Sequence, residues 1–176
     1  VRWQRSKGGL TEFGVSVVEE CNKLGIIVDV SHITDAGFWD VIEVSKEPII
    51  ASHSNCRKLC SHMRNLTDEM IKALAEKGGV QGVNFAPFFL KDMDFSKVRM
   101  GDKKEIEKVE SVTVETVVNH IDHIVEVTGS TDNIGLGSDF DGVHMTAKGF
   151  EDVSKLPNLT KALVARGYSD QEIEKI

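Results

Sequence analysis

Four short apolar runs in this 176-residue sequence each end in a side chain able to do chemistry: IIVDVS in His32, IIAS in His53, VQGV in Asn84 and NIGLGS in Asp139. If the runs are parallel strands, their carboxyl ends share one face, and groups far apart in sequence converge there. Two histidines at successive strand ends can then ligate one metal ion. The plainer alternative is that each is a satisfied polar residue, and an aspartate at a later strand end weighs against it. Arg64 follows the loop after His53 and directly precedes a helix. A guanidinium there suits a substrate carboxylate through paired hydrogen bonds, or it is a surface arginine. In SDFDG, one aspartate can act as a base or metal ligand and the other as a turn residue before Gly142. Asp139 lies nearer the strand and is the better candidate for chemistry.

Other polar residues carry less. His120 and His123 stand three apart on a helix, a spacing that can share a metal, but they flank the stripe of Val117, Ile121 and Ile124, so a helix-surface role is expected. His62 and His144 have no partner at ligand spacing and stay unassigned. Asn65-Leu66-Thr67 and Asn158-Leu159-Thr160 fit the N-glycosylation pattern, yet each threonine falls at a helix start or inside a helix, which favours the capping and helical readings.

The elements that must position these groups follow from periodicity. TEFGVSVVEECNKLG has helical spacing with Gly25 as its stop, and Thr34 caps a helix over DAGFWDVIEVS that ends before Pro48. Thr67 precedes DEMIKALAEKGG, and SVTVETVVNHIDHIVEVTG keeps Val117, Val118, Ile121 and Ile124 on one face. PNLTKALVARG is a further helix, and Ser-Asp-Gln-Glu from Ser169 is a capping box that opens another. Lys91 to Glu110 has few apolar anchors and is expected to be a long loop or lid. IIVDVSH, IIASH, VQGVNFAPFF and NIGLGSDFDG are apolar enough for strands buried on both faces. Strands alternating with helices give an α/β fold with a parallel sheet. A (β/α)₈ barrel needs eight strands and ~250 residues, so four strands amount to its C-terminal half, one incomplete domain over residues 1–176. A flavodoxin-like sheet is the rival, but the first strand is not followed by a glycine-rich phosphate loop.

Composition narrows the function. With 28 acidic residues against 21 basic ones and no long Lys/Arg run, nucleic acid is not the expected partner. No run approaches the ~20 apolar residues of a membrane span, and no apolar segment of a signal peptide follows the basic start, so a cytoplasmic location is expected. Three cysteines without CxxC spacing fit reduced thiols.

GLTEFG, NKLGIIVDVSH, IIASHSN, RNLTDEMI, GVQGVNF, HIDHIVEVTG, IGLGSDFDGV and FEDVSKLPNLTKAL together resemble the membrane (renal-type) dipeptidase family in its bacterial branch, from about Gly9 to the last residue. The 21-residue step from His32 to His53 and the 11-residue step to Arg64 fit its pattern. The resemblance implies a (β/α)₈ barrel with two zinc ions that hydrolyses dipeptides, many with a C-terminal D-residue. It implies that His32 and His53 ligate one zinc, that Arg64 holds the substrate's terminal carboxylate, and that Asp139 protonates the leaving amine. The family's His-x-Asp pair, bridging glutamate and further substrate histidine have no counterpart in the sequence and would lie upstream of Val1. The expectation is a piece of such an enzyme, inactive and weakly zinc-binding by itself, whose open strand edges are covered by more of the same protein or by a second copy in a homo-oligomer, a dimer. Two alternatives stay open: another metal-dependent barrel amidohydrolase, and an inactive barrel segment serving binding or assembly.

Overall fold

A computed structural model of the chain describes residues 8–176; the basic segment 1–7 lies outside them. Helices α1 (Glu12–Leu24) and α2 (Asp35–Val44) lead to strand β1 (Ile50–Ala51). After β1 come α3 (Asp68–Glu76), β2 (Val80–Val83), α4 (Pro87–Leu90), α5 (Phe95–Arg99), α6 (Lys103–Glu110) and α7 (Val114–Thr128). The chain ends with β3 (Ile134–Leu136), a 3-10 turn at Val153–Lys155, α8 (Pro157–Arg166) and α9 (Asp170–Lys175). The helix ends follow the local chemistry. Thr11, Thr34 and Thr67 accept from the amides of Gly14, Gly37 and Met70, and Gly25 (φ 69°) and Gly129 (φ 76°) close α1 and α7 in the left-handed conformation.

The strands are all parallel and lie side by side in chain order. β1 pairs with β2 and β2 with β3, while Asp29 forms a single parallel bridge to Ile50 on the outer side of β1. The sheet is strongly curved. A side-chain carbon placed on Gly137, just after β3, would stand 1.9 Å from the Ser52 carbonyl oxygen after β1, although β2 lies between those strands, and one on Gly82 would stand 2.1 Å from it. Only glycine lets the strand ends approach this closely.

One helix-facing core holds the sheet. Val117, Val118, Ile121 and Ile124 of α7 are fully buried with Met70, Ile71 and Leu74 of α3, and Phe85 stacks on Phe150 with ring centroids 4.2 Å apart. No described helix is long and apolar enough to cross a membrane.

The elements depart from the sequence reading in four places. IIVDVSH is not a strand buried on both faces: only Val30 is fully enclosed, and Ile26 and Ile27 are 54% and 67% exposed, because the described residues pair with this segment on one side only. β2 stops at Val83, and Pro87, with its preset φ and missing N–H, starts α4 instead of continuing the strand. Lys91–Glu110 is not a bare loop, since Asp94 and Asp102 cap α5 and α6 by accepting backbone amides of Ser96 and Lys97 and of Glu105.

The fourth departure is His120, which is not on the helix surface but fully buried. Its Nδ1 accepts from the Cys56 amide at 3.1 Å, so Nε2 must carry the hydrogen that it donates to the Leu90 carbonyl at 3.1 Å. The ring thus pins the loop after β1 and the end of α4 onto α7. Its neighbour His123 bonds Asp68 at 2.8 Å. Burial lowers the His120 pKa to about 4. The unfolded chain binds a proton below ~6.5 while the folded chain does not, so this group removes stability as pH falls from ~6.5 to ~4, by about 3 kcal/mol in full. Urea unfolding of the full-length protein should show the stability gap between wild type and His120→Gln shrinking by about that amount between pH ~7 and pH ~4. An unchanged gap would refute it.

Candidate active site

The five residues singled out, His32, His53, Asn84 and Asp139 at the strand ends and Arg64 in the loop after His53, stand together at the carboxyl end of the sheet. His32 lies three residues beyond the Asp29 bridge and His53 two beyond β1, and their Nε2 atoms are 2.8 Å apart. The hydrogen bonds behind His53 define its protonation. Ser52 Oγ donates to Asp29 Oδ2 at 2.5 Å and therefore accepts from His53 Nδ1 at 2.7 Å. His53 Nε2 is left with its lone pair directed at His32. The Asp29 carboxylate also takes the amides of Ser31 and Ser52. Burial pushes its pKa up, but these bonds and His53 outweigh burial and hold the carboxyl below its usual range.

Both rings are pushed toward the neutral form. Burial lowers the His32 and His53 pKa values first and the positive charge of Arg64 lowers them further, against a smaller opposite pull from Asp139 and Asp29. Neutral imidazoles at one point are the form in which histidine binds a metal.

Arg64 is not a surface arginine. It is 6% exposed, with Nη1 3.4 Å from Ser54 Oγ and Nη2 donating to the His53 carbonyl at 3.3 Å. Its guanidinium carbon lies 5.7 Å from the centre of the Phe89 ring. Nε is buried and has no partner. A buried guanidinium with a spare N–H is unusual unless an acceptor arrives there.

Asp139 accepts from Asn84 Nδ2 at 3.1 Å. Its backbone has φ 62° and that of His32 has φ 71°, and among the described residues these are the only non-glycine positions with positive φ. Such a conformation costs about 1–2 kcal/mol per residue, and here it falls on two side chains of one site. Asp141 is exposed, as a turn residue should be.

The sequence reading missed Asn55 and Asn65, which with the strand-end Asn84 hold these groups. Asn55, Asn65 and Asn84 are fully buried and linked: Asn84 donates its amide to Asn55 Oδ1 at 2.8 Å, Asn55 Nδ2 donates to the Asn84 carbonyl at 3.0 Å, and Asn65 Oδ1 accepts the Asn55 amide at 3.3 Å. This network ties the loop carrying Arg64 to the strand end carrying Asp139. His62, unassigned above, accepts the Arg64 amide at its Nδ1. The available signals were an aspartate inside an apolar run, VDV, and a serine beside each histidine.

Among the described residues, no group of three or more His, Cys, Asp or Glu side chains is arranged to hold a metal ion. The histidine pair fits a metal in chemistry and orientation, but a catalytic zinc takes three protein ligands, so a full set needs at least one donor more.

Relatives share this arrangement of chain. An uncharacterized dipeptidase of Schizosaccharomyces pombe is 40% identical over 173 residues, 98% of this chain and 39% of its own length. Among solved structures, a metallo peptidase from Rhodobacter sphaeroides liganded with a phosphinate mimic of the dipeptide L-Ala-D-Ala superposes with a TM-score of 0.83 at 37% identity, covering 96% of this chain and 44% of that one. The probable dipeptidase PvdM from Pseudomonas aeruginosa gives a TM-score of 0.84 at 28% identity, covering 96% and 52%. The chain therefore spans about half or less of these three proteins. Residues 2–176 match the family described as membrane dipeptidase, peptidase family M19, and the chain belongs to that family.

Proposed function

We propose that this chain supplies part of the site of a zinc-dependent dipeptidase, and that its curved parallel sheet is the C-terminal half of a (β/α)₈ barrel. The observation that carries the reading is the 2.8 Å approach of the two histidine Nε2 atoms, with the Asp29–Ser52–His53 chain fixing one tautomer. In this reading His32 and His53 hold one zinc ion. Zinc at such a site supplies Lewis acidity toward a peptide carbonyl and makes water nucleophilic near neutral pH.

The remaining work falls to this chain's own side chains. Arg64 offers its unpartnered Nε and the adjacent Nη to a substrate carboxylate, and the surrounding burial strengthens that pair by excluding water. A terminal carboxylate seated there sets the register of a dipeptide. Asp139 takes up the proton that the attacking water gives up and passes it to the nitrogen that leaves when the peptide bond breaks, and Asn84 holds the carboxyl group in place for it. The curvature that brings Gly137 against Ser52 supports the barrel half. The substrate is a dipeptide, including those with a C-terminal D-residue.

The test is hydrolysis of a simple dipeptide by the full-length protein together with its zinc content. Activity that chelation abolishes and zinc restores is expected. Hydrolysis undiminished by chelation, or no hydrolysis by the zinc-loaded protein, would refute the proposal.

A further inference from the structure

Beside the site, a cleft of about 780 Å³ opens among α4, α5 and the loop that follows β3. Its lining is apolar at Phe89, Phe95, Val98 and Met145, and Phe88 meets Phe95 edge to face at 4.5 Å between centroids. Among the described residues that line it, the charged or titratable groups are Arg99 and His144, both exposed, and none is acidic. Two of its walls are also neighbours of the site. Gly142 lies directly against Asp139, since a side-chain carbon placed on Gly142 would stand 2.0 Å from the Asp139 Oδ1. Phe89 lies beneath the Arg64 guanidinium.

Under the dipeptidase reading, on which this inference rests, Arg64 binds the terminal carboxylate and Asp139 serves the nitrogen of the same residue. Both groups are attached to that residue's Cα, so its side chain projects from a point held between Arg64 and Asp139. The cleft's wall includes a neighbour of each, Phe89 beneath Arg64 and Gly142 against Asp139. We propose that it receives the side chain of the C-terminal, leaving residue, and that it selects a large apolar one. Phe95 and Met145, 50% and 40% exposed, are then covered by substrate. A large apolar group gains more from contact with this surface than a small one, and each methylene buried in such a pocket is worth ~10-fold or more in specificity.

The experiment compares kcat/KM of the full-length protein for Ala-Gly, Ala-Phe and Ala-Lys, with the C-terminal residue in both L and D forms. For at least one hand, Ala-Phe should exceed Ala-Gly by ~10-fold or more. Val98→Trp, which fills the cleft, should lower that ratio by ~10-fold. Met145→Glu should raise Ala-Lys relative to Ala-Phe, a gain that misfolding cannot produce. A wild-type ratio near one, or ratios that neither substitution moves, would overturn the assignment while leaving the dipeptidase reading intact. If none of the dipeptides is cleaved, that reading falls and the cleft's role falls with it.

Discussion

Asp139→Asn in the full-length protein should lower turnover on a dipeptide by ~10²-fold or more while leaving bound zinc unchanged. The substitution isolates proton transfer unusually well. Asparagine is among the residues that tolerate positive φ, so the 62° backbone is kept. Its amide oxygen can still accept from Asn84 Nδ2, so the side chain stays anchored. What it cannot do is surrender a proton to an amine and take one back. KM should move little, because the proposal gives carboxylate recognition to Arg64. Loss of zinc along with activity would make Asp139 a metal ligand and contradict the acid role.

Arg64→Lys should lower kcat/KM by ~10²-fold or more, since a lysine keeps the charge but lacks the planar fork and the unpartnered Nε–H. The decisive comparison uses a substrate whose C-terminal carboxylate has been converted to an amide. Wild type should lose a similar factor on that substrate, and the variant should lose little more. Equal losses for both substrates would mean that Arg64 only supports the fold through Ser54 and the His53 carbonyl.

Much of the candidate site's geometry was legible because strands and loops share one rule: in parallel α/β units the residues that follow the strands converge on one face. His32, His53, Asn84 and Asp139 were visible as polar residues ending apolar runs, and the caps at Thr11, Thr34 and Thr67 were visible as residue types at helix starts. The asparagine network was not. Asn55 and Asn65 sit in a loop whose polar composition reads as solvated, and only tertiary packing shows that they are fully buried and bonded to backbone. His120 was misjudged for a related reason. Its place beside an apolar stripe does not say whether another element covers it, and here the Cys56 loop and the end of α4 do. The helices in Lys91–Glu110 were missed because short helices need caps more than apolar faces, and Asp94 and Asp102 supply them. Nor could spacing reveal the positive φ of His32 and Asp139, which depends on the turn each strand makes as it leaves the sheet.

The central claim is that two histidines, one following the Asp29 bridge and one following β1, hold one ion. It is tested most directly by the zinc content of the full-length protein and of its His32→Ala, His53→Ala and doubly substituted variants. Each single substitution should remove the same fraction of bound zinc and abolish dipeptide hydrolysis, and the double variant should lose no more zinc than either single one. Full zinc retention in either single variant, or losses that add in the double variant, would contradict it.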